Sequence, residues 1–225
     1  MTTDHHWIST YFNLNDDMSA IEKYLDYANY KYYKKGDIII PVGVSIDYLI
    51  YLKKGQAGRL VTTAGGAQKY IKIVTDNGII GEVIFFQHII SDYTFEAITP
   101  CECYFFDRAT VETLFLKDDA IIQSLINWFC NRLYSLNAQI QSSMLQSNYD
   151  RVCSFLSDYV KTFGYCDENG HWRYDGKLSH YDIAKYIGIN RVSVTRAITK
   201  LQEKGLIEKD RHSLIILDIT FLETF

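Results

Sequence analysis

The segment Leu178-Ser-His-Tyr-Asp-Ile-Ala-Lys-Tyr-Ile-Gly-Ile-Asn-Arg-Val-Ser-Val-Thr-Arg-Ala-Ile-Thr-Lys-Leu201 encodes two short helices that meet at Gly188. Ser179 is placed to N-cap the first, with Asp182 three residues on in capping-box position. Ile183, Ala184 and Ile187 form its apolar stripe, and the small Ala184 lets a second helix approach closely. Gly188 admits the positive φ that a sharp turn demands. Ile189 plugs the turn, and Asn190 N-caps the second helix. Val194, Ala197, Ile198 and Leu201 recur at i, i+3, i+4 and i+7, which turns them to a core. Arg191, Val192, Thr195, Arg196 and Thr199 are left on the opposite face. Gly205 stands where the helix should end. A helix apolar on one side and Arg/Ser/Thr-bearing on the other suits a core behind it and a DNA groove in front.

Outward from this hairpin, Leu206-Ile207 and Leu214-Ile-Ile-Leu217 read as short strands around the polar tip Glu208–Ser213. A strand hairpin after the second helix makes a winged helix, with Lys209, Arg211 and His212 at the wing tip. Between Lys177 and Ser213 eight basic residues face four acidic ones, a local +4 inside a chain of −4. A basic face on an acidic protein suits a DNA reader that depends on pairing rather than bulk charge. Ser179, Ser193 and Thr199 are candidate phosphate contacts, and Lys200 joins them on the same helix.

The chain has 225 residues, enough for two modest domains, and 48% hydrophobic residues can supply their cores. No apolar run reaches transmembrane length and no signal peptide is evident, so a cytoplasmic location without a membrane partner is expected. Five cysteines (Cys101, Cys103, Cys130, Cys153, Cys166) without a CxxC motif point to reduced thiols rather than a disulfide framework or zinc site. His5-His6 is the one terminal pair with metal-ligand chemistry, and such pairs are usually solvent-exposed. No nucleophile–base pair, P-loop or metal triad stands out, so neither an enzyme nor a bound cofactor is expected.

Three parts follow from pattern: 1–116, 117–148 and 149–225. The first alternates β-rich runs with glycine turns, as at Lys35-Gly-Asp37, Lys54-Gly55, Ala64-Gly-Gly66 and Asp76-Asn-Gly78. The runs are Ile38–Ile40, Tyr48–Leu52, Arg59–Val61, Tyr70–Val74 and Tyr93–Ile98, preceded by a helix near Met18–Asn29, and they argue for a sandwich or barrel. The second part is one long helix. Ile122, Ile126, Phe129, Leu133, Leu136 and Ile140 recur at alternating spacings of four and three with no Pro or Gly between them. That seam predicts a parallel homodimer, which would also supply the two recognition helices that a palindromic site requires. The third part opens with a helix over Arg151–Phe163 and a polar loop over Gly164–Gly176, and closes on the winged helix.

Gly81-Glu-Val-Ile-Phe-Phe86 followed by Ala97-Ile-Thr-Pro-Cys-Glu-Cys103, and Ile183–Arg196, together resemble the cyclic-AMP receptor/fumarate-nitrate regulator (Crp/Fnr) family of bacterial transcription factors. The resemblance implies an α+β chain. Its parts would be an N-terminal double-stranded β-helix (a jelly-roll, cyclic-nucleotide-binding-like sensor), a long dimerisation helix and a C-terminal winged helix-turn-helix. It implies double-stranded DNA, a small-molecule effector and RNA polymerase as partners.

Departures from the family pattern narrow the effector. Where nucleotide-binding members carry an Arg-Ser pair for the cyclic phosphate, this chain has Ile90-Ser-Asp-Tyr93, without arginine and with Asp92. No cysteine precedes Cys101, against an iron–sulfur cluster. His88 is the one residue near the segment where a haem ligand would fall. The chain is similar to the branch that senses halogenated phenols, which also lacks the cassette arginine, and the many Tyr and Phe rings suit an aromatic ligand. That likeness places effector contacts at Lys72, Gly81, Glu82, Tyr93, Trp128, Asn131 and Arg132, with Lys72 or Arg132 pairing a phenolate or carboxylate.

On the recognition helix the family reads bases with Arg, Glu and Arg; the matching positions here are Arg191, Val192 and Arg196. Valine cannot accept from cytosine N4, so an A·T pair is expected opposite it. The resemblance further implies that the effector alters pairing of the long helices near Phe129 and Leu133, with the winged helices turning about Asn148. Rival readings are a redox switch at Cys101, Cys103 or Cys130, a haem-controlled regulator, and a DNA binder that needs no effector.

Overall fold

A computed structural model describes residues 12, 17–62 and 68–224. The His5-His6 pair and the Ala64-Gly-Gly66 turn lie outside the described residues. The chain forms two compact units. One takes in Asn13–Thr63 and Ile71–Tyr134; the other takes in Ala64–Tyr70 and Ser135–Phe225 together with Phe12.

The first unit begins with a 3-10 helix, Ser19–Tyr27. It is tighter and shorter than the expected helix over Met18–Asn29, because Ala28 turns extended and Asn29 already opens a strand. The strands are β1 (Asn29–Tyr33), β2 (Ile38–Ile40), β3 (Tyr48–Lys54), β4 (Ala57–Thr62), β5 (Gln68–Val74) and β6 (Gly78–Ile80), then helix α1 (Glu82–Gln87), β7 (Thr94–Ala97) and β8 (Cys101–Asp107). They pair antiparallel into two four-stranded sheets ordered β1-β8-β3-β6 and β2-β7-β4-β5, a jelly-roll.

The run Tyr48-Leu-Ile-Tyr-Leu52 does not alternate in polarity because β3 is covered on both faces. Ile50 and Leu52 turn into the roll with Ile40, Phe95, Ala97, Cys101 and Cys103, side chains drawn from both sheets. Leu49 and Tyr51 turn outward under Met18, Ile21, Phe106, Val111 and Phe115. Helices α2 (Arg108–Thr113) and α3 (Asp119–Leu145) follow, and Ile121, Leu125 and Trp128 of α3 complete that outer cluster. The long helix thus starts two residues later and ends three earlier than the 117–148 span. Leu145 ends it because Ser147 caps the next helix: its hydroxyl accepts from Asp150 N while Asp150 accepts from Ser147 N.

The second unit holds α4 (Asn148–Phe163), β9 (Tyr165–Cys166), β10 (Trp172–Asp175), α5 (His180–Ile187), α6 (Arg191–Glu203), β11 (Ile207–Lys209), β12 (Ser213–Ile216) and α7 (Ile219–Leu222). Both predicted caps form: Ser179 with Asp182 makes a reciprocal box, and Asn190 Oδ1 accepts from Ser193 N at 2.8 Å. Gly188 takes φ +69° at the turn and Lys69 packs against its α-carbon, so a side chain there would be both strained and crowded. Val194, Ala197, Ile198 and Leu201 are buried as their spacing requires.

The segment 164–176 is not the expected loop. It folds as β9 and β10, and Trp172 pairs with Ile216 of the wing, giving the sheet β11-β12-β10-β9. Its partner lies some forty residues on, out of reach of local pattern. Phe12 is fully buried here, its ring 5.0 Å from Phe163 and 5.8 Å from both Tyr159 and Tyr186.

Leu201→Ala removes a wholly buried side chain and is expected to cost about 2–5 kcal/mol, whereas Val192→Ala, at 59% exposure, should stay within about 0.5 kcal/mol. Urea unfolding of both variants measures the contrast.

Candidate nucleic-acid interface and candidate effector site

Arg191, Val192, Thr195, Arg196, Thr199 and Lys200 are exposed along one side of α6, while Ser193 is half-buried. Arg191, Val192, Thr195 and Arg196 line a shallow depression of about 270 Å³, with an apolar floor from Val192 between two guanidinium groups. A second depression, about 240 Å³, lies between Asn148, Tyr149, Ser193, Arg196, Ala197 and Lys200. Lys200 Nζ sits 4.5 Å from the centre of the Tyr149 ring, a cation–π contact that holds the ammonium at the rim. Sequence reading missed Asn148 and Tyr149, since nothing local ties the start of α4 to α6.

Several hydroxyls on this face are already engaged. Ser179 Oγ donates to Asp182 Oδ2 at 2.6 Å, so the capping box competes with any phosphate for it. Thr195 Oγ1 donates to the Arg191 carbonyl at 3.0 Å. Lys209 of β11 donates to Asp210 O, and Asp210 in turn accepts from the amides of His212 and Ser213, which folds the wing tip tightly.

In the first unit Lys72, Glu82, Tyr93 and Trp128 are all at least nine-tenths buried. Lys72 Nζ donates to Glu82 Oε1 at 2.9 Å and lies 3.9 Å from the centre of the Trp128 indole. A charge taken out of water at such depth is tolerable only with a partner this close. Gly81 caps α1 at φ +87°, where a side chain would strike Ile46. That close fit aims Glu82 inward from the first position of the helix. Arg132, one turn beyond Trp128, donates to the Ile71 carbonyl at 3.0 Å beside Lys72. Burial first, then the charge of Glu82, pushes the Tyr93 phenol up to about 12. Asn131, beside Arg132 on α3, is half-buried.

Arg59 of β4 was not anticipated. Its guanidinium stacks 3.8 Å above the Tyr93 ring and reaches Asp92 at 3.4 Å. Among the described residues Glu82 Oε2, Trp128 Nε1 and Arg59 Nε are buried without a hydrogen-bond partner. One acceptor and two donors around this cluster therefore have hydrogen-bonding capacity to spare.

Residues 30–118 match the cyclic nucleotide-binding domain family, and residues 150–225 match the Crp-like helix-turn-helix domain. The chain belongs to the Crp/Fnr family of transcription regulators. It is 23% identical to the global nitrogen regulator of a Nostoc species over 82% of this chain and 83% of that one. A structure of CprK in complex with OCPA superposes with a TM-score of 0.74 at 17% identity, covering 96% of this chain and 98% of the other. A CooA variant from Carboxydothermus hydrogenoformans superposes with a TM-score of 0.78 at 14% identity, covering 96% and 98%. At these identities the superpositions establish the fold.

Within this Crp/Fnr frame the stretch before β7 has its own geometry. Ser91 is buried with its hydroxyl donating to Tyr93 O at 2.7 Å, while Asp92 points outward at 79% side-chain exposure. His88 takes a left-handed backbone at the end of α1. Burial pushes the Cys101 thiol up to about 11 and those of Cys103 and Cys153 up to about 12, which keeps them protonated and slow to react. Cys130 and Cys166 are exposed. Among the described residues no helix is long and apolar enough to cross a membrane, and no group of His, Cys, Asp or Glu is arranged to hold a metal.

Lys72→Met strands the Glu82 carboxylate in the interior and should destabilise the protein by about 3–5 kcal/mol. Lys72→Met with Glu82→Leu removes both charges and should recover most of that loss. Thermal unfolding of the two variants, compared with the parent, checks the coupling.

Proposed function

We propose that this Crp/Fnr-type regulator works as a homodimer that binds a palindromic DNA site under the control of a small, aromatic effector that is not a cyclic nucleotide. The observation that carries the reading is the outer side of α3. Ile126, Phe129, Leu133 and Ile140 are 51%, 41%, 62% and 55% exposed in a single chain. Ile122 and Leu136 fall on the same stripe, half-buried. Each such side chain gains roughly 1.5–3 kcal/mol when fully buried, so a second copy packed in parallel register is strongly favoured. A two-fold dimer presents two α6 helices to half-sites about one DNA turn apart.

In this reading 1–116 senses, 117–148 pairs and 149–225 binds DNA. Arg191 and Arg196 contact guanine or phosphate, Val192 packs on a thymine methyl, and Ser179, Ser193, Thr195, Thr199 and Lys200 serve the backbone. The effector engages Lys72, Glu82, Tyr93 and Trp128, with Gly81, Asn131 and Arg132 around them. The absence of an arginine at Ile90–Tyr93 and the aromatic walls favour an aromatic acid or phenol over a cyclic phosphate; OCPA, bound by CprK, is the kind of molecule meant. An effector must favour the DNA-competent state by its own differential affinity, typically about 1–3 kcal/mol. The complex then recruits or blocks RNA polymerase in the cytoplasm.

Leu133→Glu should convert a dimer into monomers in sedimentation velocity and abolish tight DNA binding while leaving the fold intact by circular dichroism. A parent chain that sediments as a monomer at micromolar concentration would sink the dimer. Selection from random duplexes is expected to return A·T at the step facing Val192, and Val192→Glu should move that step toward C·G. A thermal-shift screen of phenols, aromatic acids and cyclic AMP tests the effector class.

A further inference from the structure

His180 opens α5 beside the exposed face of α6 and has no role in the reading above. Its Nδ1 lies 3.0 Å from Thr195 Oγ1. The single Thr195 hydroxyl proton is donated to the Arg191 carbonyl, so toward the imidazole that oxygen can only accept. His180 therefore carries its hydrogen on Nδ1. In the neutral ring Nε2 is left with a bare lone pair, which repels a phosphate oxygen; a protonated Nε2 donates to one with charge assistance.

The surroundings set the balance between the two states. Burial, then Lys209 of β11 and Arg191 of α6, hold the His180 pKa below its ordinary 6.5. The nearby carboxylates are committed to turns: Asp182 to the Ser179 cap and Asp210 to the wing amides. A phosphate brought in by Arg191 and Lys209 would cancel their positive field and make the imidazolium the favoured form.

We propose that His180 is a DNA-phosphate contact that engages only after Nε2 takes up a proton, so that DNA binding by this chain is coupled to proton uptake. The proposal rests on the DNA-binding reading and on the wing and recognition helix sharing one phosphate. The sign follows from linkage. The pKa is low in the free protein and raised in the complex. The contact is therefore complete below the free-protein value and is lost as pH rises through the complex value.

The test is fluorescence polarisation of the full chain with a labelled duplex of about 30 base pairs at low salt, where phosphate contacts alone support binding. Affinity is expected to fall at least about tenfold between roughly pH 5.5 and pH 8. His180→Gln should flatten that slope, His180→Lys should bind tightly without it, and His212→Gln on the wing should keep it. A slope that survives in His180→Gln, or a flat profile in the parent chain, overturns the proposal while DNA binding stands. If the parent chain binds no duplex at any pH, the DNA-binding reading falls and takes the proposal with it.

Discussion

One indole ties the sensor to the helix that leaves it. Trp128 is wholly buried in the cluster between α3 and the outer face of β3, and the same ring carries the Lys72 ammonium on its face. One residue further on, about 100° around α3, Phe129 projects into the exposed apolar stripe, its ring 5.0 Å from Trp128. The Lys72–Glu82 pair and the stripe are thus joined by two side chains in contact. Packed interiors shift between discrete arrangements rather than deforming smoothly, which is what a ligand-driven switch requires.

In the winged helix, the α5–α6 pair is ordered by devices close together in sequence as well as by its long-range packing. Two N-caps, a left-handed glycine and four buried side chains on α6 fix the recognition helix in place. Hydroxyls at Ser179 and Thr195 are satisfied within the domain, while Arg191, Val192 and Arg196 face outward around one depression. Rigidity here has a purpose: a base contact discriminates only if the side chain is held in register with the groove.

These features divide by range. The two helices α5 and α6, their caps and the buried face of α6 were legible because caps, turn and helical periodicity are written within a single stretch of sequence, whereas the burial of Tyr186 among distant aromatic rings was not. Five of the jelly-roll's strands were legible as β-rich runs and the family likeness supplied the jelly-roll itself; the order of strands in the two sheets was not legible. Lys72, Glu82 and Trp128 were each named as site residues, but their union as an ion pair on an indole joins β5, α1 and α3 and left no local trace. Arg59 over Tyr93 escaped for the same reason. So did β10: Trp172-Arg-Tyr-Asp175 alternates aromatic and charged residues but over only four positions, and its pairing with β12 exists only once the wing has formed. The 3-10 winding of Ser19–Tyr27 is a matter of how the end of the segment enters β1, which composition does not reveal.

Phe12 carries a consequence for how the protein is made. It is synthesised long before the rings that enclose it, from Phe155 to Tyr186. Until Phe155–Tyr186 have been made, this large apolar side chain has no home, and contacts of such sequence separation form slowly. The C-terminal aromatic core therefore cannot mature on its own schedule. A change that displaces Phe12 would be felt in the aromatic cluster of α4 and α5, more than a hundred residues away in sequence.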